Sequence, residues 1–399
     1  MKTKKILMLL EHPFPPDIRV EKEAKALLSA GFDLSLVCAD GNDIDNWNGM
    51  KIYRVPISKN PMSELNRLIS IIHSGFYRYL DDLFKREYFD VIHVHDLRLV
   101  PTALKIKEKY GCKVVADLHE NYPAAVREWN KSSNRLKRFL LKTFNSYEKW
   151  FKVEKNVLKK VDRIIAVVDE MKERIIRQHN IDESKILVVS NLEDEDFVKK
   201  AKVDKNLIQK YKDKFVILYI GGFGAHRGID TAIKGMRFID KNDIILLLVG
   251  RGSKKIENEF RSLIKKYNLE EKVEMIGWQP FEKVYTYQKL ASICIVPHHS
   301  NEHTDNTIPH KLYQYMMVGK PVIVSSCPPL ARVVREANSG LVFEAGDDKD
   351  FSDKILKIYG NKTLQEKFSK NGLVYTFEKK HTWQEESKKL VKLYKGELL

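Results

Sequence analysis

Short apolar segments with β-strand character alternate with amphipathic helical segments along most of this chain. Several of the apolar segments, such as Ile164–Val168, contain no polar residue. A strand that is apolar on both faces has to be buried on both faces, which is typical of a parallel sheet covered by helices. Alternation of such strands with helices therefore predicts a doubly wound α/β architecture.

The alternation occurs twice, and a polar, charged stretch over 191–213 separates the two parts. The first part has predicted strands at Lys5–Leu10, Asp33–Ala39, Lys51–Val55, Val91–His95, Lys113–Leu118, Arg163–Val168 and Ile186–Ser190. Its predicted helices are Arg19–Ala30, Glu64–Lys85, Leu99–Tyr110, Asn134–Lys160 and Glu170–His179. The second part has predicted strands at Phe215–Ile220, Ile244–Gly250, Val273–Ile276, Ser292–Pro297, Pro321–Ser325 and Leu341–Phe343. Because 399 residues exceed one ordinary core, we expect domains at 1–190 and 214–380, a linker at 191–213 and a C-terminal helix over 381–399.

The composition is that of a soluble globular protein, with 43% hydrophobic and 31% charged residues. No apolar run reaches the roughly 18 residues that a membrane span needs. The apolar run Ile6–Leu10 is followed directly by Glu11, so we interpret it as a buried first strand and not as a signal peptide. The four cysteines have no metal or redox spacing, which predicts reduced core residues in a cytoplasmic protein; they are Cys38, Cys112, Cys294 and Cys327.

A net charge of +16 points to an anionic partner. The segment Lys131–Arg163 holds eleven Lys and Arg residues interleaved with aromatic ones. Such a basic amphipathic helix is typical of a protein that binds an anionic membrane surface. The alternative is an ordinary helix whose apolar face packs on its own domain. Nucleic acid is the least favoured partner, because the basic residues cluster on one helix and around glycine loops without an aromatic stacking platform.

Glycine-rich turns follow two strands of the second part, at Gly221–Gly228 and Gly250–Ser253. In open α/β sheets, ligands bind beyond the carboxyl ends of the strands, and glycine-rich turns let backbone amides approach a phosphate closely. Arg227 and Arg251 lie in these turns. Lys311 lies in the first turn of a helix predicted from Pro309 to Gly319, where a cation is unfavourable unless an anion is bound beside it. Three convergent cations of this kind predict a diphosphate site.

Other polar or aromatic residues also follow predicted strands. Trp278 could stack on a base, or could simply pack against the domain. His119 is expected to face the groove between the domains. His93 and His95 share one face of a strand and could bind a metal, but no further ligand pattern accompanies them, so we predict no metal site. The acidic segment Glu193–Asp196 is interpreted as a solvated turn of the linker.

Taken in order along nearly the whole chain, these segments resemble the family-4 retaining glycosyltransferases. The resemblance rests on Glu11–Ala24, Asp90–His95, Asp117–Glu120, Val188–Asn191, Tyr219–Gly224, Leu247–Gly250, Ile276–Gly277 and above all Pro309–Ile323. It implies the GT-B fold, in which two doubly wound Rossmann-like domains face each other across a cleft and a C-terminal helix returns toward the N-terminal domain.

The chain departs from the family pattern at three positions. Members usually carry two glutamates at the positions that Asn306 and Gln314 occupy here. An amide keeps the hydrogen-bonding geometry of a carboxylate but loses the strength that its charge gives. The family also tends to place a cation where this chain has Gly222, and we expect Arg251 to compensate for it.

The resemblance implies transfer of a sugar from a nucleoside diphosphate sugar, a UDP- or GDP-sugar, with retention of the anomeric configuration. The acceptor would be a glycan or a lipid-linked sugar of cell-surface polysaccharide biosynthesis. It implies a hexosyltransferase-like enzyme without metal or other cofactor, either free in the cytoplasm or peripheral on the inner face of the cell membrane. His119, Arg227 and Lys311 would be catalytic. The substrate-binding residues would be Gly222, Phe223, Gly224, Arg251, Trp278, Asn306, Ile308, Pro309, His310 and Gln314.

Three alternatives remain compatible with the sequence. The same architecture could serve a sugar-nucleotide epimerase or a phosphorylase. The two amides, Asn306 and Gln314, could belong to a non-catalytic subunit that binds a nucleotide sugar without turning it over. A metal-dependent hydrolase could use His93 and His95.

Overall fold

The structure is a computed structural model that describes residues 4–41, 43–57, 60, 65–66, 68–131 and 144–398. The chain forms two compact units. The first consists of Met1–Ser190 together with Glu386–Leu399, and the second of Asn191–Glu385. The stretch 191–213, expected to be a linker, therefore lies within the second unit.

The first unit is built on an eight-stranded sheet. Its strands are β1 (Lys5–Leu10), β2 (Asp33–Ala39), β3 (Asn46–Trp47), β4 (Met50–Val55), β5 (Val91–His95), β6 (Lys113–Leu118), β7 (Arg163–Ala166) and β8 (Ile186–Val188). They are ordered β3-β4-β2-β1-β5-β6-β7-β8, and neighbouring strands are parallel except β3 and β4. That antiparallel pair is joined at Asn48 and Gly49, both with positive φ, as a two-residue hairpin turn requires.

Helices cover this sheet where the sequence alternation predicts most of them. They are α1 (Ile18–Ser29), α2 (Ser74–Arg86), α3 (Val100–Tyr110), α4 (Tyr122–Lys131), α5 (Tyr147–Leu158) and α6 (Asp169–His179). Helix α4 was not predicted. The long helices expected over Glu64–Lys85 and Asn134–Lys160 fall partly on residues outside the described part of the chain, and the helices that are described, α2 and α5, begin later.

Local capping explains where these two helices begin. Ser146 has extended backbone angles, and its side chain accepts a hydrogen bond from the backbone N–H of Lys149, which starts α5 at Tyr147. The imidazole of His73 accepts in the same way from the N–H of Phe76 and starts α2. A side chain that satisfies a free N–H at a helix start fixes the boundary more sharply than hydrophobic periodicity does.

The second unit is built on a six-stranded, fully parallel sheet. Its strands are β9 (Phe215–Ile220), β10 (Ile244–Val249), β11 (Val273–Gly277), β12 (Ile293–Val296), β13 (Val322–Ser325) and β14 (Gly340–Phe343). Its helices are α7 (Asp196–Lys199), α8 (Lys205–Lys210), α9 (Ile229–Gly235), α10 (Lys254–Lys266), α11 (Val284–Leu290), α12 (Lys311–Met317), α13 (Pro328–Ala337), α14 (Asp348–Tyr359) and α15 (Lys362–Leu373). A last helix, α16 (Trp383–Lys392), passes from the second unit into the first.

Both sheets have the strand order of a Rossmann-like domain. In the second, the order β11-β10-β9-β12-β13-β14 reverses direction between β9 and β12. In the first, the corresponding reversal lies between β1 and β5. Loops diverge at such a switch point, which is where ligands bind in open α/β sheets. The predicted doubly wound class is confirmed for both units.

The interior of both units consists of the apolar strands and the inward faces of their helices. Strands β1, β9, β10, β12 and β13 are almost completely buried, as their largely apolar sequences predict, and β5 is buried together with its two histidines. All four cysteines are buried and free of disulfide bonds. Among the described helices, none combines the length and the apolar character needed to cross a bilayer.

Candidate active site

Two loops meet at the switch point of the second sheet. One follows β9 and contains residues 221–228, and the other follows β12 and begins at Pro297. The N–H of His299 donates to the carbonyl of His226 at 3.0 Å, which joins the loops through their backbones. Gly228, with φ of 63°, packs so closely on Pro297 that a β-carbon would run into the Pro297 carbonyl group. This position therefore requires glycine, both for its left-handed backbone and for the close approach.

The two cations predicted to be catalytic both lie at this switch point. Lys311 is only 7% exposed, and its Nζ lies 4.2 Å from the centroid of the Tyr219 ring. A side chain at Gly221, whose φ is 137°, would run into the Lys311 ammonium group. Arg227 places Nη1 3.2 Å from Nε2 of His298. The structure thus brings together Lys311 and Arg227, which are 84 positions apart in the sequence.

The electrostatics of this pair favour an anion. Burial, reinforced by the charge of Arg227, lowers the pKa of Lys311 well below its usual range. Among the described residues, none of the carboxylates forms an ion pair with Lys311 or Arg227. Burying positive charge without a counter-charge is unfavourable, and a bound polyanion would remove that cost. The site is therefore chemically suited to a diphosphate.

Three imidazoles lie beside the pair, those of His226, His298 and His303. Burial, followed by the charges of Arg227 and Lys311, lowers the pKa of His298 well below its usual range. Burial and Arg227 lower the pKa of His226 to about 3. The ring of His226 lies 5.2 Å from that of His303, edge to face. At neutral pH His226 and His298 can therefore act as polar neighbours of the cations but not as further cations.

Arg251 lies on the next loop but is directed elsewhere. Gly250 packs against the Gly221 carbonyl group, and the carbonyl of Arg251 accepts from the N–H of Phe223 at 2.8 Å, so the two glycine-rich loops touch. The guanidinium of Arg251, however, lies over the ring of Trp278, 5.9 Å from its centroid. Trp278 is 61% exposed. These two residues form an aromatic and cationic face beside the pair, so Arg251 does not take the place of the cation that the family has at Gly222.

Two of the predicted substrate-binding side chains are part of the hydrophobic core. Phe223 is 8% exposed and lies between the rings of Tyr219 and Phe260, with centroids 6.1 and 5.8 Å away. Ile308 is 1% exposed. Their side chains hold the loops onto the domain, so any contact they make with a substrate comes from the backbone. Gly222, whose carbonyl accepts from the Tyr219 hydroxyl at 2.8 Å, is exposed, and Gly224 is half-buried against the ring of His226.

The helix that carries Lys311 is shorter than predicted. It begins at Lys311 and spans seven residues, with His310 at its N-cap and Pro309 before it, both half-buried. The anion was expected to be shared between the Lys311 cation and the free backbone amides of the helix start. The Lys311 side chain reaches the turn at Gly221, so its ammonium group lies beside that glycine-rich loop.

The amide of Gln314 is fixed inside the protein and is not presented to a ligand. Gln314 is 2% exposed; its Nε2 donates to Oε2 of Glu193 at 2.6 Å, and its Oε1 accepts from Nε2 of Gln288 at 3.1 Å. Glu193 is itself only 3% exposed, so the interpretation of this residue as part of a solvated acidic turn is wrong. Asn306, in contrast, is half-exposed, and its Nδ2 donates to the carbonyl of Glu302 at 2.7 Å.

This buried pairing explains why position 314 carries an amide. A glutamate there would face the carboxylate of Glu193, and two buried carboxylates in contact repel each other. We expect Gln314→Glu to lower the free energy of unfolding by about 3 kcal/mol, as uncompensated buried charges do. Adding Glu193→Gln should restore stability, because one carboxylate and one amide are again paired. Urea denaturation of both single variants and the double variant would measure this; a Gln314→Glu protein as stable as wild type would contradict it.

In the first unit, a buried network of charges lies at the carboxyl ends of β5 and β6. Arg19 contacts Asp117 Oδ1 at 2.8 Å and Glu23 Oε1 at 2.9 Å through Nη2. His93 places Nε2 3.1 Å from Glu23 Oε2 and Nδ1 2.6 Å from the hydroxyl of Tyr394, which belongs to the C-terminal segment of this unit. Apart from Arg19, at 6%, these side chains are completely buried.

His119 lies at the outer end of this network. Its Nε2 is 2.7 Å from Asp117 Oδ2, and its Nδ1 is 3.3 Å from Asp96 Oδ2. Burial opposes the charged ring, but Asp96 and Asp117 outweigh it and raise the pKa of His119 well above its usual range. The ring is thus an imidazolium whose two N–H groups both point at carboxylates, and 20% of the side chain is exposed. The structure places His119 at a strand end as predicted, with its N–H groups already used within the protein.

Four side chains of the network also have the composition of a metal site. Donor atoms of Glu23, His93, His95 and Asp117 lie within 4.8 Å of one another. The guanidinium of Arg19 already pairs with both carboxylates, and a metal would have to displace it. We interpret the cluster as a buried ion-pair network.

Comparison with solved structures identifies the fold. A sucrose-phosphate synthase from Thermosynechococcus elongatus matches with a TM-score of 0.79 and 18% identity over 98% of both chains. HepE from Anabaena, in complex with UDP-glucose, matches with a TM-score of 0.75 and 12% identity, covering 98% of this chain and 99% of that one. Two Rossmann-like units of this kind define the class of GT-B glycosyltransferases.

Comparison with family models and curated sequences identifies the family. The model of Glycosyltransferase Family 4 matches residues 18–197, and the model of Glycosyl transferases group 1 matches residues 200–374. The chain belongs to glycosyltransferase family 4, and it is a glycosyltransferase.

Three curated relatives share parts of the sequence. The uncharacterized glycosyltransferase MJ1178 of Methanocaldococcus jannaschii is 29% identical over 184 residues, 46% of this chain and 48% of that one, so the match spans about half of its length. The uncharacterized glycosyltransferase MJ1069 of the same organism is 23% identical over 363 residues, 87% and 84% of the two chains. The capsular polysaccharide biosynthesis glycosyltransferase CapM of Staphylococcus aureus is 24% identical over 215 residues, 52% and 55%.

Proposed function

We propose that this glycosyltransferase transfers a sugar from a nucleoside diphosphate sugar with retention of the anomeric configuration. The proposal depends on the proximity of Arg227 and Lys311 at the switch point of the second sheet. Among the described residues, no carboxylate forms an ion pair with either cation. HepE, which has the same fold, is solved with UDP-glucose, and this supports a UDP-sugar as the first donor to test.

The chemistry follows from where charge develops. The bond between C1 of the sugar and the β-phosphate oxygen breaks, and negative charge grows on the leaving diphosphate. Arg227 and Lys311 stabilise that charge, as preorganised cations do in a low-dielectric site. The acceptor hydroxyl attacks C1 from the same face, and its proton passes to the departing phosphate oxygen. A double displacement would instead need a carboxylate close to C1.

The base of the donor is assigned to the face formed by Trp278 and Arg251. Trp278 follows β11, on the same carboxyl edge of the sheet as the two glycine-rich loops. An exposed indole backed by a guanidinium offers a flat surface on which a nucleobase can stack. Such stacking tolerates different bases, so it does not by itself choose between uridine and guanosine donors.

Binding of the acceptor is assigned to the first unit, and the reaction is assigned to the synthesis of a cell-surface polysaccharide. CapM, which acts in capsular polysaccharide biosynthesis, supports that role. His119, held as an imidazolium at the end of β6, would present a positive edge to the sugar or the acceptor and not a free N–H group.

A panel of donors tests this function. Ligands that bind the native state raise its melting temperature, so UDP- and GDP-sugars should be compared by thermal shift in wild type and in Arg227→Ala. We expect one class of nucleotide sugar to stabilise wild type and to stabilise the variant much less. Proton NMR of the product formed with an oligosaccharide acceptor should show the anomeric configuration of the donor. An inverted product would contradict retention, and an isomerised donor without acceptor would indicate an epimerase. Binding without any turnover would indicate a non-catalytic subunit.

Helix α5 changes the kind of membrane interaction that we expect for residues 131–163. Trp150, Val153, Val157 and Leu158 are buried, so the apolar face of the described part of this segment packs on its own unit. The exposed face consists largely of lysines, among them Lys152, Lys155 and Lys159. An interaction with lipid would therefore be electrostatic and not by insertion of the α5 face.

We expect the protein to bind vesicles containing phosphatidylserine at low salt and to be released as the ionic strength rises. Changing Lys152, Lys155 and Lys159 to glutamate should weaken binding. The matched control changes Lys362, Lys367 and Lys370 on α15, which are also exposed. Sedimentation with vesicles measures both; equal binding to neutral and anionic vesicles, or equal effects of the two triple variants, would count against the interaction.

A further inference from the structure

We propose that His298 positions Arg227 for the diphosphate, and that it does so as a neutral hydrogen-bond acceptor. The inference rests on the proposed function, because it assigns Arg227 to the leaving group. It adds His298, which lies on a different loop from Arg227 and whose protonation state determines how the guanidinium is oriented and how much of its charge is available.

The geometry ties the two side chains to a rigid frame. His298 is 1% exposed and comes two residues after the end of β12, and its Nε2 lies 3.2 Å from Nη1 of Arg227. The loops that carry them are joined by the hydrogen bond from His299 to His226 and by the contact of Gly228 with Pro297. The His299 ring is in turn fixed by Asp230, 2.8 Å from its Nε2. His298 therefore has little freedom to move away from Arg227.

The hydrogen bond determines the protonation state of His298. A guanidinium has five N–H donors and no acceptor, so Nε2 of His298 must accept and the ring proton must lie on Nδ1. The charged and titratable groups around this ring are Arg227, Lys311, His226 and His303. Burial and the positive charges among them keep the ring neutral, with a pKa well below its usual range.

A neutral ring at His298 serves the proposed role of Arg227 better than a charged side chain would. A carboxylate at position 298 would orient Arg227 as well, but it would neutralise the guanidinium and compete with the diphosphate for it. A neutral imidazole orients the guanidinium and leaves its charge available. Arg227 keeps further N–H donors for phosphate oxygens, since the contact with His298 uses one of them.

Three substitutions separate this role from simple packing. His298→Leu fills similar space without an acceptor, His298→Gln keeps a neutral acceptor, and His298→Asp keeps an acceptor but adds negative charge. We expect His298→Leu to bind UDP on the order of 10-fold more weakly, which corresponds to loss of one hydrogen bond to a charged group. His298→Gln should recover most of that loss, and His298→Asp should not. In an Arg227→Ala background, His298→Leu should have little further effect.

Calorimetry measures the affinity of each variant for UDP. The melting temperature of each ligand-free variant shows whether it is folded. Equal affinities of His298→Leu and His298→Gln would overturn the inference, because a packing role does not distinguish them. Additive effects of His298→Leu and Arg227→Ala would overturn it as well. If His298→Leu does not fold, His298→Asp matching wild-type affinity would overturn it. Wild-type UDP affinity in Arg227→Ala alone would instead overturn the proposed function.

Discussion

An Arg227→Ala variant should transfer sugar on the order of 100-fold more slowly than wild type, as expected when one preorganised stabiliser of the transition state is lost. The guanidinium faces growing negative charge on the leaving diphosphate, so its loss should lower kcat more than it raises KM. Lys311→Ala should have an effect of the same order, because the ammonium group lies at the same turn, against Gly221. Initial rates with the donor identified by thermal shift measure both.

Arg261→Ala is the matched control for these variants. Arg261 is an exposed arginine on α10 of the same unit, outside the site, and its replacement should leave the rate unchanged. Wild-type rates in both Arg227→Ala and Lys311→Ala would remove the proposed mechanism. A rise confined to KM would instead show that the cations bind the ground-state donor and the transition state equally well.

Removing Arg19 should have the largest effect on stability. Its guanidinium contacts two carboxylates that are completely buried, Asp117 and Glu23, and also donates to the carbonyl of Val189 at 3.3 Å. Burial opposes ionisation of Asp117, but Arg19 and His119 hold the pKa of that carboxyl well below its usual range. Arg19→Met leaves buried negative charge with less compensation, and we expect the free energy of unfolding to fall by roughly 3–5 kcal/mol at pH 7.

The penalty in Arg19→Met should depend on pH in a definite direction. The contribution of Asp117 in wild type is present above the unfolded-state pKa of about 3.9 and is lost as the pH falls through the lower folded-state value. In the variant that carboxyl can take up a proton at higher pH, so the difference from wild type should shrink on acidification. Arg332→Met is the control, since Arg332 lies in a partly exposed i,i+4 pair with Glu336 and its loss should cost less than about 1 kcal/mol. Equal unfolding free energies of Arg19→Met and wild type in urea at pH 7 would contradict the assignment of this network.

The strands were predictable because their apolar sequences leave little choice of environment. Predicted and observed bounds coincide for Lys5–Leu10, Val91–His95 and Phe215–Ile220. Errors arose where a local interaction decides a boundary. Strand β7 stops at Ala166, before the predicted end, and Val168, although extended, already serves as the N-cap of α6.

The candidate site was predictable as a set of residue types but not as a set of contacts. Glycine loops after strands pointed to the switch-point edge of the second sheet, where the structure brings Arg227 and Lys311 close together. Spacing gave no information on which way a side chain points from a loop. Phe223 therefore proved to be a core residue, and Arg251 lies over Trp278 and does not join the cation pair.

By itself, the sequence determined two parallel sheets covered by helices, and the positions after their strands where glycines and cations could meet a phosphate. Hydrophobic pattern and chain order are enough for this, because burial of an apolar strand is a local requirement. Tertiary structure alone decided that His298 faces Arg227, that Glu193 is buried against Gln314, and that Asp96 and Asp117 hold His119 charged. The partners in each of these contacts lie on separate loops and strands. The distances between them are set by how the connections between strands pack within each unit, and the charges and hydrogen bonds depend on those distances.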